Sequence, residues 1–228
     1  MGEILEMTLR RARAFILIVT GALLSACGTQ YEEQSQLFGA IGRTLLPGSG
    51  DDQQTSAQSA PLTRASIEAA EGDFLLAAVP SRESGALLQK AGENGDEVTW
   101  ISPDGISVTY DRGVLVATRG LGPDLMAANV SGTVAALRQG AGSSQRVHEY
   151  LDGNDQIVRR SFDCRIERAG NERIVILERS YETVRYEENC ESGSQRFQNI
   201  YWADKAGVVW KSRQLISPPV GYLDSERL

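Results

Sequence analysis

The chain has 228 residues, with 23 Lys and Arg against 30 Asp and Glu, a formal net charge of −7, and one histidine. An acidic balance of this kind argues against nucleic acid as a partner, because that contact needs a basic footprint, and against broad electrostatic capture of an anionic polymer unless a local basic patch opposes the trend. One histidine and three cysteines without a CxxC spacing make a metal centre unlikely chemistry here, and no cofactor is expected.

The first stretch reads as a lipoprotein leader. Arg10, Arg11 and Arg13 form a basic region, and Ala14 to Leu24 is mostly apolar. That run has the length of a signal-peptide core and falls short of the roughly 20 residues a spanning helix needs. Leu24, Ser25 and Ala26 then precede Cys27 in the pattern of a lipobox, which predicts cleavage before Cys27 and lipidation of its thiol. Glu3 and Glu6 sit badly in a basic region, so Met7 is the better expected start. The competing reading is an uncleaved helix that ends on a chance cysteine. Several acyl chains anchor firmly where one binds reversibly. Gly28 rather than Asp after the cysteine predicts onward transport to the outer membrane, with the chain on its periplasmic face.

Residues 1–26 are therefore expected to be a signal peptide, 27–61 a lipidated tether and 62–228 a single domain. Removal of the leader, which holds three Arg and two Glu, leaves 202 residues and a formal charge of −8. The tether is rich in Gln, Ser, Gly and Asp, a composition that buries little. Within it, Leu37 to Leu46 has enough apolar residues for a short helix. With Cys27 committed to lipid, Cys164 and Cys190 form an even pair in an oxidising compartment and are expected to bond; two free buried cysteines are the alternative.

A helix is predicted over Thr63 to Ala70, with Thr63 able to cap it but without a full capping box. From Asp73 the pattern changes to short strands parted by turn residues. The predicted strands are Phe74–Val79, Ala86–Ala91, Glu97–Ser102, Ile106–Tyr110 and Val114–Arg119, with turns at Pro103-Asp104-Gly105 and Asp111-Arg112-Gly113. Leu121 to Leu125 breaks the pattern, and Asp124 is placed to cap a short turn through Ala128. Ser143–Leu151, Gln156–Arg168 and Arg173–Glu187 follow, the last two around Ala169-Gly170-Asn171-Glu172. Phe197–Ala203 and Val208–Leu215 make a final hairpin, and the tail from Ser217, with Pro218 and Pro219, is expected to end outside the sheet. Strands this closely spaced leave no room for crossover helices, so the pairing is antiparallel. The fold class is all-β, an antiparallel barrel or sandwich-like single domain. The leader argues against a membrane-spanning barrel, which carries aromatic girdles and no lipid anchor.

Trp100-Ile101-Ser102-Pro103-Asp104-Gly105, then Val114 to Gly120, then Thr118-Arg119-Gly120-Leu121-Gly122-Pro123-Asp124-Leu125 resemble the YjbF/GfcB family of bacterial lipoproteins. The last of these matches that family's Thr-x-Gly-Leu-x-x-Asp-Leu segment in full, and Tyr201-Trp202 and Val209-Trp210-Lys211-Ser212 also fit. The resemblance covers about residue 62 to the end, together with the leader. It implies an outer-membrane lipoprotein with a β-barrel-like periplasmic domain, engaged in exopolysaccharide or group 4 capsule production. It supplies no catalytic residues. The long tether is where this chain departs from the pattern.

The residues themselves offer few chemical candidates. His148 sits in a predicted strand with no ligand-spaced partner, so a surface or half-buried strand histidine is expected ahead of a general base. Asp104, Asp111 and Asp124 would serve a glycosidase only as a close carboxylate pair. Their turn positions point instead to side chains that bond nearby backbone N–H groups. Trp100, Trp202 and Trp210, with Tyr110 and Tyr201, would make a stacking platform for sugar rings, against the commoner role of aromatic residues in filling a β core. Arg119, Arg159, Arg160, Arg179 and Arg185 alternate with Glu178, Glu182, Glu187 and Glu188, the pattern of a mixed solvated face. Three functions are left standing: a non-enzymatic accessory of polysaccharide secretion that meets envelope proteins or glycan, a barrel that carries an acyl or polyprenyl chain, and a carboxylate-based glycan-cleaving enzyme. A filled interior would remove the second.

Overall fold

The computed structural model describes residues 62–228. The leader, Cys27, the tether and its expected short helix lie outside the described residues. Twelve strands form one antiparallel sheet in the order β5-β4-β3-β2-β1-β12-β11-β10-β9-β8-β7-β6, curled into a nearly closed barrel. The strands are β1 (Phe74–Val79), β2 (Ser84–Asn94), β3 (Glu97–Ile101), β4 (Ser107–Asp111), β5 (Val114–Arg119), β6 (Ala127–Asn129), β7 (Gly142–Leu151), β8 (Ile157–Ile176), β9 (Arg179–Ser192), β10 (Gln195–Ala203), β11 (Val209–Ser217) and β12 (Gly221–Arg227). Two short helices, α1 (Arg64–Glu68) and α2 (Ser131–Gln139), accompany them. Among the described residues no helix is long and apolar enough to cross a membrane.

Alternation drives the curl. Along β10, Phe197, Asn199, Tyr201 and Ala203 are buried while the residues between them are not, and β4 and β7 alternate in the same way. The main core joins Leu75, Leu88, Trp100, Val108, Tyr110, Leu115, Tyr201, Ile216 and Leu223, residues contributed by strands on opposite sides of the barrel.

Four sequence expectations need correction. The tail does not leave the sheet: residues 221–227 form β12, which pairs with both β1 and β11. Pro218 and Pro219 occupy only the turn before it, where a missing N–H breaks no ladder. The turn expected around Ala169-Gly170-Asn171-Glu172 is instead a register shift between Arg168 and Gly170 within the 20-residue β8. The chain actually reverses at Leu177 and Glu178, both at positive φ (41° and 67°). A two-residue hairpin of that kind favours Asn-Gly, so Leu-Glu gives no signal in the sequence. Arg64 holds this unusual turn by donating from Nη2 to the Ile176 carbonyl (2.7 Å) and from Nε to that of Leu177 (3.2 Å). Third, the segment expected to be a capped turn through Ala128 contains β6, paired with β7. Fourth, Thr63 and Ser66 do form a reciprocal capping box at α1, although Ser stands where Glu or Gln is usual.

The far halves of β8 and β9 reach beyond their neighbours. Ile174, Ile176 and Tyr181 pack against Trp202, Trp210 and Leu228, and Leu177 joins Ile67, Phe74 and Leu87. These two satellite clusters are separate from the main core. Helix α2 follows β6, where no element was expected. Its apolar positions Val130, Val134 and Leu137 do have helical spacing, but Val130 at the N-cap supplies no side-chain bond. Its buried face delivers Val134 and Thr133 to the barrel interior.

Candidate functional site

The segment Thr118 to Leu125, singled out in the sequence, joins the two edge strands of the sheet. Across that seam the Thr118 N–H donates to the Leu125 carbonyl (2.8 Å), and the Leu125 N–H donates to Thr118 Oγ1 (3.1 Å). Asp124 ties the loop from within, accepting from Thr118 Oγ1 (2.7 Å) and from the N–H groups of Gly120 (3.0 Å) and Leu121 (3.2 Å). Arg119 bridges the carbonyls of Leu125 and Met126. Gly120 has φ +89°, which other residues rarely adopt. This segment therefore closes the barrel, and Asp124 is spent on backbone N–H groups rather than on chemistry. Asp104 is similarly engaged by the Ser102 hydroxyl.

The interior holds a polar cluster. Glu188 on β9 accepts from Arg146 Nη1, Tyr201 OH and Asn199 Nδ2 at its Oε2, and from Thr133 Oγ1 at Oε1, each at 2.7 Å. Burial alone would push the Glu188 carboxyl up, but Arg146 and the three neutral donors outweigh it and hold it below the usual range. For Arg146 burial opposes the charge, and attraction to Glu188 again prevails. The cluster also repairs a defect in β5. A register shift at Thr109/Tyr110 interrupts the β4–β5 ladder. The Leu115 N–H then donates to Gln214 Oε1 (2.8 Å), and its carbonyl accepts from Arg146 Nη2 (3.3 Å). Buried backbone groups need such partners wherever a ladder is interrupted.

His148 is fully buried, contrary to the surface or half-buried position expected of it. Its ring packs between Phe162 (5.1 Å between centroids) and Phe197 (5.7 Å), and Nδ1 lies 2.8 Å from Tyr150 OH. Burial, helped by the nearby Arg146 charge, pushes its pKa down to about 3, so the ring is neutral. Beside it, Cys164 and Cys190 face each other across β8 and β9 and are joined by a disulfide, with Cα atoms 4.0 Å apart. Ligand atoms of Cys164, Glu188 and Cys190 lie within 4.8 Å of one another. That donor set does not suit a metal: both sulfurs are spent on each other, and the carboxylate is saturated by four donors.

One recess brings several sequence candidates together. At the end of the barrel where the β4–β5 turn meets the β10–β11 connection, a cavity of about 250 Å³ is lined by Leu75, Asp96, Val98, Trp100, Tyr110, Arg112, Gly113, Val209, Trp210, Lys211, Ser225 and Arg227, among others. Gly113 (φ +88°) sits so close to Val209 that a Cβ there would lie 2.5 Å from the valine Cβ. Trp100 and Tyr110 are buried in its wall and Trp210 is half-buried. Trp210 stacks on Tyr181 (4.1 Å) and donates from Nε1 to Asp204 Oδ2 (2.9 Å). Trp202 does not join this recess; it is half-buried, with Arg185 and Lys211 over its ring at 5.9 and 5.7 Å. Of the arginines noted in the sequence, Arg159 and Arg185 pair with Glu149 (2.6 Å) and Glu187 (2.8 Å), as a mixed solvated face does. Sequence reasoning missed Arg146, which alternation on β7 could have marked as inward-facing, and it missed Gln214 and Thr133, for which no local signal exists.

These features define a barrel-like β domain whose interior is occupied by its own side chains, crossed by a buried ion pair and joined by a cystine. The chain belongs to the YjbF family, described as the group 4 capsule polysaccharide lipoprotein gfcB, whose model matches residues 34–228. The crystal structure of the hypothetical lipoprotein YmcC from Escherichia coli (K12) has the same fold, with a TM-score of 0.70 at 16% identity over 89% of this chain and 97% of that one. No curated protein matches the chain. The family links the chain to group 4 capsule polysaccharide production.

Proposed function

We propose that the protein is an outer-membrane lipoprotein, anchored through lipid on Cys27 and facing the periplasm, that serves capsule or exopolysaccharide production as a non-enzymatic accessory. The family match over residues 34–228 carries this reading. Three observations support it. The leader pattern ending at Leu24-Ser25-Ala26-Cys27 supplies an anchor, and the Cys164–Cys190 bond suits an oxidising compartment. The carboxylates first weighed for glycan cleavage at positions 104 and 124 are engaged in their own turns. The barrel interior is taken up by the main core and by the Arg146–Glu188 cluster, which leaves a lipid-carrier role without a central channel. The domain would then act through its surface and its open end, on envelope secretion proteins or on glycan.

The test is genetic and direct. Deleting the gene should reduce surface or secreted polysaccharide, the intact gene should restore it, and a Cys27→Ser variant should not, because the domain would no longer be held at the membrane. Unchanged polymer in the deletion strain would overturn the proposal.

A further inference from the structure

We propose that the recess between the β4–β5 turn and β11 binds an acidic sugar residue of a polysaccharide, a hexuronate in chemical class. This rests on the polysaccharide reading above and gives it a site. The recess joins an apolar aromatic wall to a cationic rim. Trp100 and Tyr110 form the buried wall, and Arg112, Lys211 and Arg227 stand at the lining with Asp96 as the one acid. Three cations against one carboxylate is a local reversal of charge in a chain of net charge −7. Arg112 is partly answered by Asp96, and Lys211 by Glu226, whereas Arg227 has no ion pair among the described residues.

An independent observation points to a ligand. The Tyr110 hydroxyl is buried and reaches the recess beside Ser225, yet no group among the described residues hydrogen-bonds to it. The Ser225 hydroxyl is already engaged with Ser212 (2.9 Å). An unpaired buried hydroxyl is costly, and a ligand hydroxyl or carboxylate would satisfy it. Aromatic faces suit the C–H surface of a pyranose, and an arginine fork suits a carboxylate. The cavity, at about 250 Å³, lies just under the roughly 300–1,000 Å³ of drug-sized sites, which limits the occupant to about one ring. Further along the chain surface, Arg138 and Lys205 line an adjoining groove that shares Arg112, and neither has an ion pair among the described residues. A longer acidic chain would continue across them.

The full-length, detergent-solubilised lipoprotein would be titrated with oligogalacturonate, with a neutral malto-oligosaccharide of equal length, and with inorganic phosphate, and followed by calorimetry and tryptophan fluorescence. Saturable binding of the uronate alone, with a change in emission, is expected. Tyr110→Phe removes only the unpaired hydroxyl, so it should leave thermal stability undiminished while weakening uronate binding about threefold to tenfold, the value of one hydrogen bond. Arg112→Gln/Arg227→Gln should weaken it further and flatten its salt dependence. Absence of saturable uronate binding, equal binding of the neutral oligomer, equal binding of phosphate, or full affinity in both variants would each overturn the assignment. In cells, variants that restore polymer as well as wild type, while Cys27→Ser does not, would reject the recess and keep the accessory role. Failure of the gene deletion to alter polymer would reject the role itself.

Discussion

Arg146 on β7 and Glu188 on β9 meet 2.7 Å apart inside the barrel, with side chains 1% and 0% exposed. The two residues are brought together across β8, and the pair anchors Thr133 of α2, Asn199 and Tyr201 of β10 and the Leu115 carbonyl of β5. Elements distant in sequence thus share one electrostatic centre.

Glu188→Gln leaves the Arg146 charge buried without a counter-ion, and removing one partner of such a pair costs about 3–5 kcal/mol. Urea denaturation should show a loss of that order. Arg146→Met/Glu188→Leu removes both charges and is expected to be more stable than Glu188→Gln alone, although below wild type because Thr133, Asn199 and Leu115 lose partners. A double variant less stable than the single one would show that geometry, not charge, dominates.

Acid should weaken the fold in two stages. His148 has its pKa lowered from 6.5 to about 3, so its stabilising effect is complete above the unfolded value and is lost as pH falls from 6.5 towards 3. Between pH 8 and pH 5 that loss amounts to about 2 kcal/mol. Glu188, also depressed, keeps its contribution above the unfolded value of 4.5 and loses it only at lower pH. His148→Phe, set among Phe162 and Phe197, should flatten the pH dependence between 8 and 5. Tyr150 loses a hydrogen bond in that variant, but its own pKa is pushed up to about 12 by burial, so this loss is constant across the window. Chemical denaturation at several pH values decides the matter.

The cystine closes a loop with a sequence separation of 26. In the chain-entropy model that is worth about 3 kcal/mol. Cys164→Ser/Cys190→Ser should lower the denaturation midpoint accordingly, and dithiothreitol should act on wild type but not on the variant. Equal midpoints would place the bond outside the stability of the domain.

Truncation after Val220 should abolish cooperative unfolding. It removes β12, strips ladder partners from β1 and β11 together, and takes Leu223 from the core. A folded truncation product by circular dichroism and size exclusion would contradict this.

Strand content was legible because alternation is a local property. Phe74–Val79 and Val114–Arg119 stand where the pattern puts them, and most other strands differ only at their ends. Turns were legible where Gly, Asn or Asp marks them, as at Asp111-Arg112-Gly113. They were not legible at Leu177-Glu178, whose positive φ angles are held by Arg64 from a distant helix. β12 was hidden by the prolines before it, and α2 by its shortness and uncapped start. For the candidate recess, the sequence supplied Trp100, Tyr110 and Trp210 but also Trp202, which lies elsewhere, and it gave no reason to add Arg112 or Arg227.

By itself the sequence determines the leader pattern ending at Cys27, the acidic balance, the antiparallel β class and the family segment Thr118–Leu125. Each depends on residue type and spacing along the chain. Only the tertiary structure decides that this segment closes the barrel, that Arg146, His148 and Glu188 are internal, and that Tyr110 faces a cationic recess with its hydroxyl unpaired. The physical reason is that alternation sets which side of a strand a residue takes, whereas its partners depend on strand order, register and curl, and these are set by contacts between residues far apart in sequence.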